Sequence, residues 1–234
     1  MSSNSTRVSE DPFVDKADPT CRIRVWDLPT RLFHWLLVLS VTTCFITGSI
    51  GMTAMSLHML SGLVVFGLLL FRLCWGFVGG QQSRFTAFVR GPRAVIGYAV
   101  EMLRGSSPRH LGHNPLGGWS ILAMMLALAL QAGTGLFASD DILTQGPLYH
   151  LVDSTLAYQL TRIHRYNRFV VAFLAAIHVM AVFFYLWGKQ DNLLKPMITG
   201  YKDWPCDTDT SSGNPWAAAV IAGLLAIGVY FLAR

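Results

Sequence analysis

Five stretches of this chain are long and apolar enough to cross a lipid bilayer: roughly residues 31–50, 55–78, 115–137, 166–187 and 215–233. A helix needs about 20 apolar residues to span the hydrocarbon core, and none of the five windows carries an Asp or Glu. Of the 234 residues, 53% are hydrophobic and only 13% charged, about half the charged share usual in soluble domains. The expected fold class is an all-α integral membrane protein with no room for a separate soluble domain.

The first window starts too far into the chain, and too far from any small-residue cleavage site, to be a secretory signal. The segment before it, Met1 to about Thr20, is rich in Ser, Asp and Pro, and a disordered tail is expected there. The net charge of +5 is read as membrane orientation rather than as a nucleic-acid footprint, because basic residues mark the cytoplasmic side of membrane proteins. Residues 79–114 hold Arg84, Arg90, Arg93, Arg104 and Arg109 against one acid, Glu101. Residues 138–164 hold one Arg against Asp140, Asp141 and Asp153. The expected orientation therefore has the N-terminus and the 79–114 loop in the cytoplasm, and the 138–164 loop and the C-terminus outside.

Local signals refine the spans. Trp26 and Pro29 suit the first turn of a helix at a membrane interface. A short turn, Ser49 to Met55, makes spans one and two a tight antiparallel pair. Asn114-Pro115 and Asn214-Pro215 each place a capping residue before a first-turn proline. An amphipathic helix lying in the interface is expected from Arg93 to Leu103. The outer loop of 27 residues is too long for a plain turn, and a short helix is expected around 146–160. Cys21, Cys44, Cys74 and Cys206 form no Cys-x-x-Cys-His, which excludes covalent c-type haem. With two in or beside spans and two on the reducing side, all four are expected to be free thiols. No internal repeat is seen.

Four histidines lie in or beside the apolar spans: His34, His58, His164 and His178. An ionisable group at membrane depth is costly and points to function; the blander alternative is that each bonds to a neighbouring helix. Their register decides between these. His164 and His178 are 14 residues apart, close to four full turns, so they share a face and lie roughly 21 Å apart along the helix. That is too far for one metal ion and suits two cofactors stacked through the bilayer. Spans two and four run opposite to span one, so His34 meets His178 at the inner level and His58 meets His164 at the outer level. Each pair supplies two axial imidazoles to one haem iron, an arrangement that favours electron transfer over binding a small ligand.

Other residues fall on the same faces. Gly48, 14 residues after His34, leaves room at the outer level, or is ordinary small-residue packing. Arg72, 14 residues after His58, and Arg31 are candidates for the inner haem propionates, because guanidinium binds carboxylates bidentately. Arg162 and Arg165, with Arg168, are candidates for the outer propionates. The alternatives are inside anchoring for the first two and a solvated face for the others.

The run Arg24-Val25-Trp26-Asp27-Leu28-Pro29-Thr30-Arg31-Leu32-Phe33-His34-Trp35, with Thr47-Gly48 closing the span, resembles the opening of the bacterial di-haem cytochrome b family of the prokaryotic cytochrome b561 type. That family includes the b subunits of nickel-iron hydrogenases, formate dehydrogenases and thiosulfate reductases. Gly112-His113-Asn114-Pro115-Leu116-Gly117, the His164/His178 spacing, Lys189-Gln190-Asp191-Asn192-Leu193-Leu194-Lys195-Pro196-Met197 and Met197-Ile198-Thr199-Gly200-Tyr201-Lys202 are also similar. The resemblance implies a four-helix transmembrane haem-binding bundle over 22–202, after a tail over 1–21. It implies two haem b groups passing electrons between a redox partner protein and membrane quinone in a bacterial inner membrane. Residues 203–234, a linker and a fifth C-terminal transmembrane helix, depart from the four-helix pattern and either clamp a partner subunit or anchor the tail.

The implied partner is a dehydrogenase or hydrogenase subunit or a cytochrome c, besides lipid and quinone; a homodimer is compatible and nucleic acid is not expected. His113 and Asn114 offer polar atoms to a quinone, against the plainer reading of a helix cap beside a loop histidine. No catalytic side chain is assigned. The alternative within the family is a stand-alone oxidoreductase that oxidises superoxide and reduces quinone, which needs a positive outer funnel. A transporter would need acidic or broken helices at mid-membrane, and the spans contain no acids.

Overall fold

The computed structural model describes residues 20–140 and 142–234; most of the expected tail lies outside them. The chain opens with strand β1 (Thr20–Arg24), followed by α1 (Leu28–Ile50) and α2 (Met55–Val78). Two shorter helices, α3 (Phe85–Phe88) and α4 (Pro92–Leu103), connect α2 to α5 (Pro115–Gly135), and α6 (Ser154–Phe183) follows. A π-helical turn, Phe184–Gly188, ends α6; α7 (Leu194–Thr199), β2 (Tyr201–Pro205) and α8 (Pro215–Leu232) complete the chain. Five helical segments among the described residues are long and apolar enough to span a membrane.

Helix α1 starts where its sequence supplies a cap. Asp27 Oδ1 accepts the Thr30 N–H at 3.0 Å, satisfying a backbone donor that has no partner within the helix. The same carboxylate, only 4% exposed, also accepts Trp75 Nε1 at 3.2 Å and the Gly80 N–H at 3.0 Å. One side chain thus fastens the start of α1 to the end of α2, and a Cβ at Gly80 would stand 2.6 Å from Asp27 Oδ2. At the other end, Gly51 at φ 84° turns the chain and donates to the Thr47 carbonyl, a conformation available to glycine at little cost.

The helices pack as two hairpins, α1 with α2 and α5 with α6, joined along an α2–α5 seam. Large apolar side chains cover the outside, with Leu39, Leu126, Phe173 and Leu224 all exposed. In water a surface of this extent would be a liability; in a bilayer it is the lipid-facing coat. The fifth span, α8, packs on this chain's own α2 and α1, where Ala218 joins Phe33, Phe71 and Trp75 in a buried cluster.

Three expectations change. Cys21 and Cys206 are joined in a disulfide, so the reading of four free thiols is corrected; Cys44 and Cys74 are free. The bridge follows from antiparallel pairing of β1 with β2, in which Cys21 lies opposite Trp204. Partners 185 residues apart are invisible to cysteine spacing alone. Thr20 and Cys21, expected at the end of the tail, belong to this ribbon. The short helix expected around 146–160 is instead a 3₁₀ turn, Tyr149–Leu151, followed by the first turns of α6 itself. Those turns are too polar for a hydropathy window, and Asp153, which caps them with bonds to Thr155 and Leu156, was the available signal.

Candidate functional site

The fold brings the four membrane histidines together as two facing pairs. His58 from α2 and His164 from α6 have ring centroids 6.1 Å apart. His34 from α1 and His178 from α6 have centroids 6.5 Å apart. An imidazole nitrogen binds a first-row metal at about 2.0–2.1 Å, so two rings on opposite sides of one metal have centres roughly 6 Å apart. Both spacings fit a group inserted between the rings. Among the described residues, no cluster of three or more His, Cys, Asp or Glu is arranged to hold a bare ion. Two-histidine sites suit a metal that brings its own equatorial ligands, as haem iron does.

The His58–His164 pair, outer in the expected orientation as His34–His178 is inner, is held by a motif that occurs twice. His58 Nδ1 lies 3.0 Å from the Cys44 carbonyl and 3.3 Å from Thr47 Oγ1. His164 Nδ1 lies 2.9 Å from the Gln131 carbonyl and 3.5 Å from Thr134 Oγ1. A carbonyl only accepts, so each Nδ1 carries the hydrogen and each Nε2 keeps the lone pair that a metal needs. Thr47 and Thr134 each donate to the carbonyl four residues back, both at 2.6 Å. The next residue is glycine both times. A Cβ at Gly48 would stand 3.1 Å from the His58 ring, and one at Gly135 would stand 3.0 Å from the His164 ring. Gly48 therefore makes room for the opposing histidine. Gln131 is held in turn by Asn167, which donates to its Oε1 at 2.8 Å.

The inner pair has a different surround. His34 Nδ1 is buried without a hydrogen-bond partner, as are Arg72 Nη1, Arg31 Nε and His113 Nδ1. Arg72 is 5% exposed, and its guanidinium lies 5.0 Å from the Phe85 ring centre. Arg31 also donates to the Ile198 carbonyl. His113 packs between Trp26, at 4.7 Å, and Phe88, at 5.2 Å. Burial, helped by the charge of Arg72 and by His178 and His34, holds its pKa down at about 3, so it is neutral. Buried donors without acceptors are costly, and an anionic group such as a propionate answers that cost for the two arginines.

Arg162 and Arg165 stand exposed on α6 beside His164, and Arg168 lies over Phe169 at 4.7 Å. Asn114 spends both polar atoms within the protein: Oδ1 accepts the Gly117 N–H at 2.7 Å, and Nδ2 donates to Tyr185 Oη at 2.7 Å. Its cap role accounts for the first bond and leaves His113 with the open polar atom. Sequence reasoning missed Gly135, Thr134, Gln131 and Asn167. The signal was present as Thr-Gly near the end of both α1 and α5, a repeat too short to stand out.

A family model described as prokaryotic cytochrome b561 matches residues 25–200. No curated protein and no solved structure matches the chain.

Proposed function

Because the chain belongs to the prokaryotic cytochrome b561 family, whose members are membrane proteins that bind haem b and carry electrons across the bilayer, we propose that it does so with two haems. His58 and His164 would hold one, and His34 and His178 the other. The observation that carries this reading is the pair of facing imidazole couples, at 6.1 and 6.5 Å, set four helical turns apart on α6. Bound haem b supplies a reversible one-electron iron couple at each level.

The chain's own residues do the rest. Cys44 and Gln131 carbonyls fix the outer rings with Nε2 facing inward. Arg72 and Arg31 offer cationic donors to the inner propionates. The apolar coat excludes water and keeps electrons on this path. The expected route joins a redox protein docked at the His58–His164 end to membrane quinone near His113; the basic 79–114 loop favours the cytoplasm for the His113 end, and the Cys21–Cys206 disulfide at that end argues for an oxidising compartment. Asp140 and Asp153 lend the outer loop negative charge, which favours a cationic partner protein.

Purified protein should show a b-type reduced spectrum and two haems per chain. One haem, or none in a folded preparation, overturns the proposal. The exposed Arg162, Arg165 and Arg168 favour a second reading, oxidation of superoxide at the outer face. Quinone reduction driven by added superoxide with no other protein present would select it.

A further inference from the structure

Beside His113 lies a second polar cluster, whose side chains bond to one another. Tyr98, on α4, is 4% exposed, and its Oη lies 2.9 Å from Tyr185 Oη. Tyr185 stands in the π-helical turn that ends α6, and such turns are frequent at functional sites. Its Oη also accepts a bond from Asn114 Nδ2 at 2.7 Å. Asn114 adjoins His113, whose Nδ1 is buried and open. On the other side, the half-exposed His110 packs its ring 5.3 Å from that of Tyr98, and its Nε2 is buried without a partner.

We propose that Tyr98 and Tyr185 form a proton relay from the inner aqueous face, by way of His110, to a quinone reduced beside His113. The inference rests on the quinone reading above. Quinone reduction needs two electrons, which arrive singly from the inner haem, and two protons, one for each carbonyl oxygen as C=O becomes C–OH. The apolar bundle supplies no protons, so they come from water at the inner face. With its oxygen fixed by Asn114, Tyr185 passes its hydroxyl proton forward and takes one from Tyr98. Tyr98 is restored from the His110 side, and neither tyrosine is changed. Quinol oxidation runs the same steps backward.

The charges around the input end suit this use. Burial lowers the pKa of His110, the Lys202 and Arg90 charges lower it further, and Glu101 opposes them. These effects favour the neutral ring, whose lone pair can take up a proton. Lys202 is an ammonium ion paired with Asp191 at 2.9 Å, so it keeps its proton and does not compete with the ring for one. The plainer role for the tyrosine pair is to pin α4 to the bundle, and the test separates the two.

Haem-reduced protein is mixed in single turnovers with a short-chain benzoquinone or with ferricyanide, which takes electrons without protons. Tyr185→Phe and Tyr98→Phe should slow haem reoxidation by the quinone on the order of tenfold or more, with an altered solvent deuterium isotope effect, and leave the ferricyanide rate and haem content unchanged. Wild-type quinone rates and isotope effects in both variants would overturn the relay. Equal slowing with both oxidants would show a structural pin and also overturn it. A wild-type protein oxidised by ferricyanide but never by quinone would instead bring down the quinone reading, and the relay with it.

Discussion

The two histidine pairs are alike in spacing and unlike in surroundings. At the outer level each ring donates its Nδ1 hydrogen to a backbone carbonyl, and a glycine clears space against each ring. At the inner level His34 Nδ1 has no partner, while buried Arg72 and partly exposed Arg31 each present one buried, unpaired donor atom. A hydrogen bond from Nδ1 makes an imidazole more basic and favours ferric iron; a buried cation nearby favours the ferrous form. With a haem at each pair as proposed, this difference predicts two potentials, the inner one higher: backbone carbonyls hold the outer rings, whereas buried charge lies beside the inner ones. A redox titration should resolve two steps.

The largest expected effect comes from removing a ligand. His58→Ala should lose the outer haem and the lower-potential step, and His34→Ala the inner haem and the higher one, each halving haem per chain. Loss of the same step in both variants would break the comparison. Next, Arg72→Met should lower the inner potential by on the order of 60 mV, the one-electron equivalent of a tenfold change, and leave the outer step in place. An unchanged titration would remove charge as the tuning element. Gly135→Ala drives a methyl against the His164 ring, and overpacking of this kind costs about 1–3 kcal/mol. Haem retention on gentle heating should fall at the outer site only. Gly48→Ala should act likewise, since its Cβ would stand 3.1 Å from the His58 ring.

The smallest effect concerns the loop above the outer pair. Backbone bonds from Thr144, Ile142 and Leu143 hold the Asp140 pKa at about 2, below its ordinary 3.8. A depressed carboxylate stabilises the fold above its ordinary value, and the benefit is lost as pH falls through the depressed one. Limited proteolysis of the outer loop should be the same at pH 7 and pH 5 and should rise only below about pH 4. A rise already at pH 6 would show that these bonds do not hold the loop.

The spans were legible because hydropathy and helical period are local. A run such as Met55–Val78 carries its own reason for crossing a membrane. The 14-residue steps from His34 to Gly48, from His58 to Arg72 and from His164 to His178 were legible for the same reason. The polar first turns of α6 were hidden because a window tuned to lipid ignores helix that projects beyond it. At 30 residues, α6 is about 45 Å long, against a hydrocarbon core of about 30 Å. The Gly135 cradle was hidden because a single Thr-Gly step, even one matched in α1, does not set it apart from an ordinary small residue in a helix.

The sequence by itself determined that the chain enters lipid, how many helical segments it offers and which faces carry imidazole, since each follows from residues within a few turns of one another. Tertiary structure alone decided that Cys21 meets Cys206 across 185 residues, that α8 rests on its own bundle, and that Tyr98 reaches Tyr185. Those contacts depend on how separate helices and strands pack, and packing is fixed by the whole set of neighbours rather than by any one segment's composition.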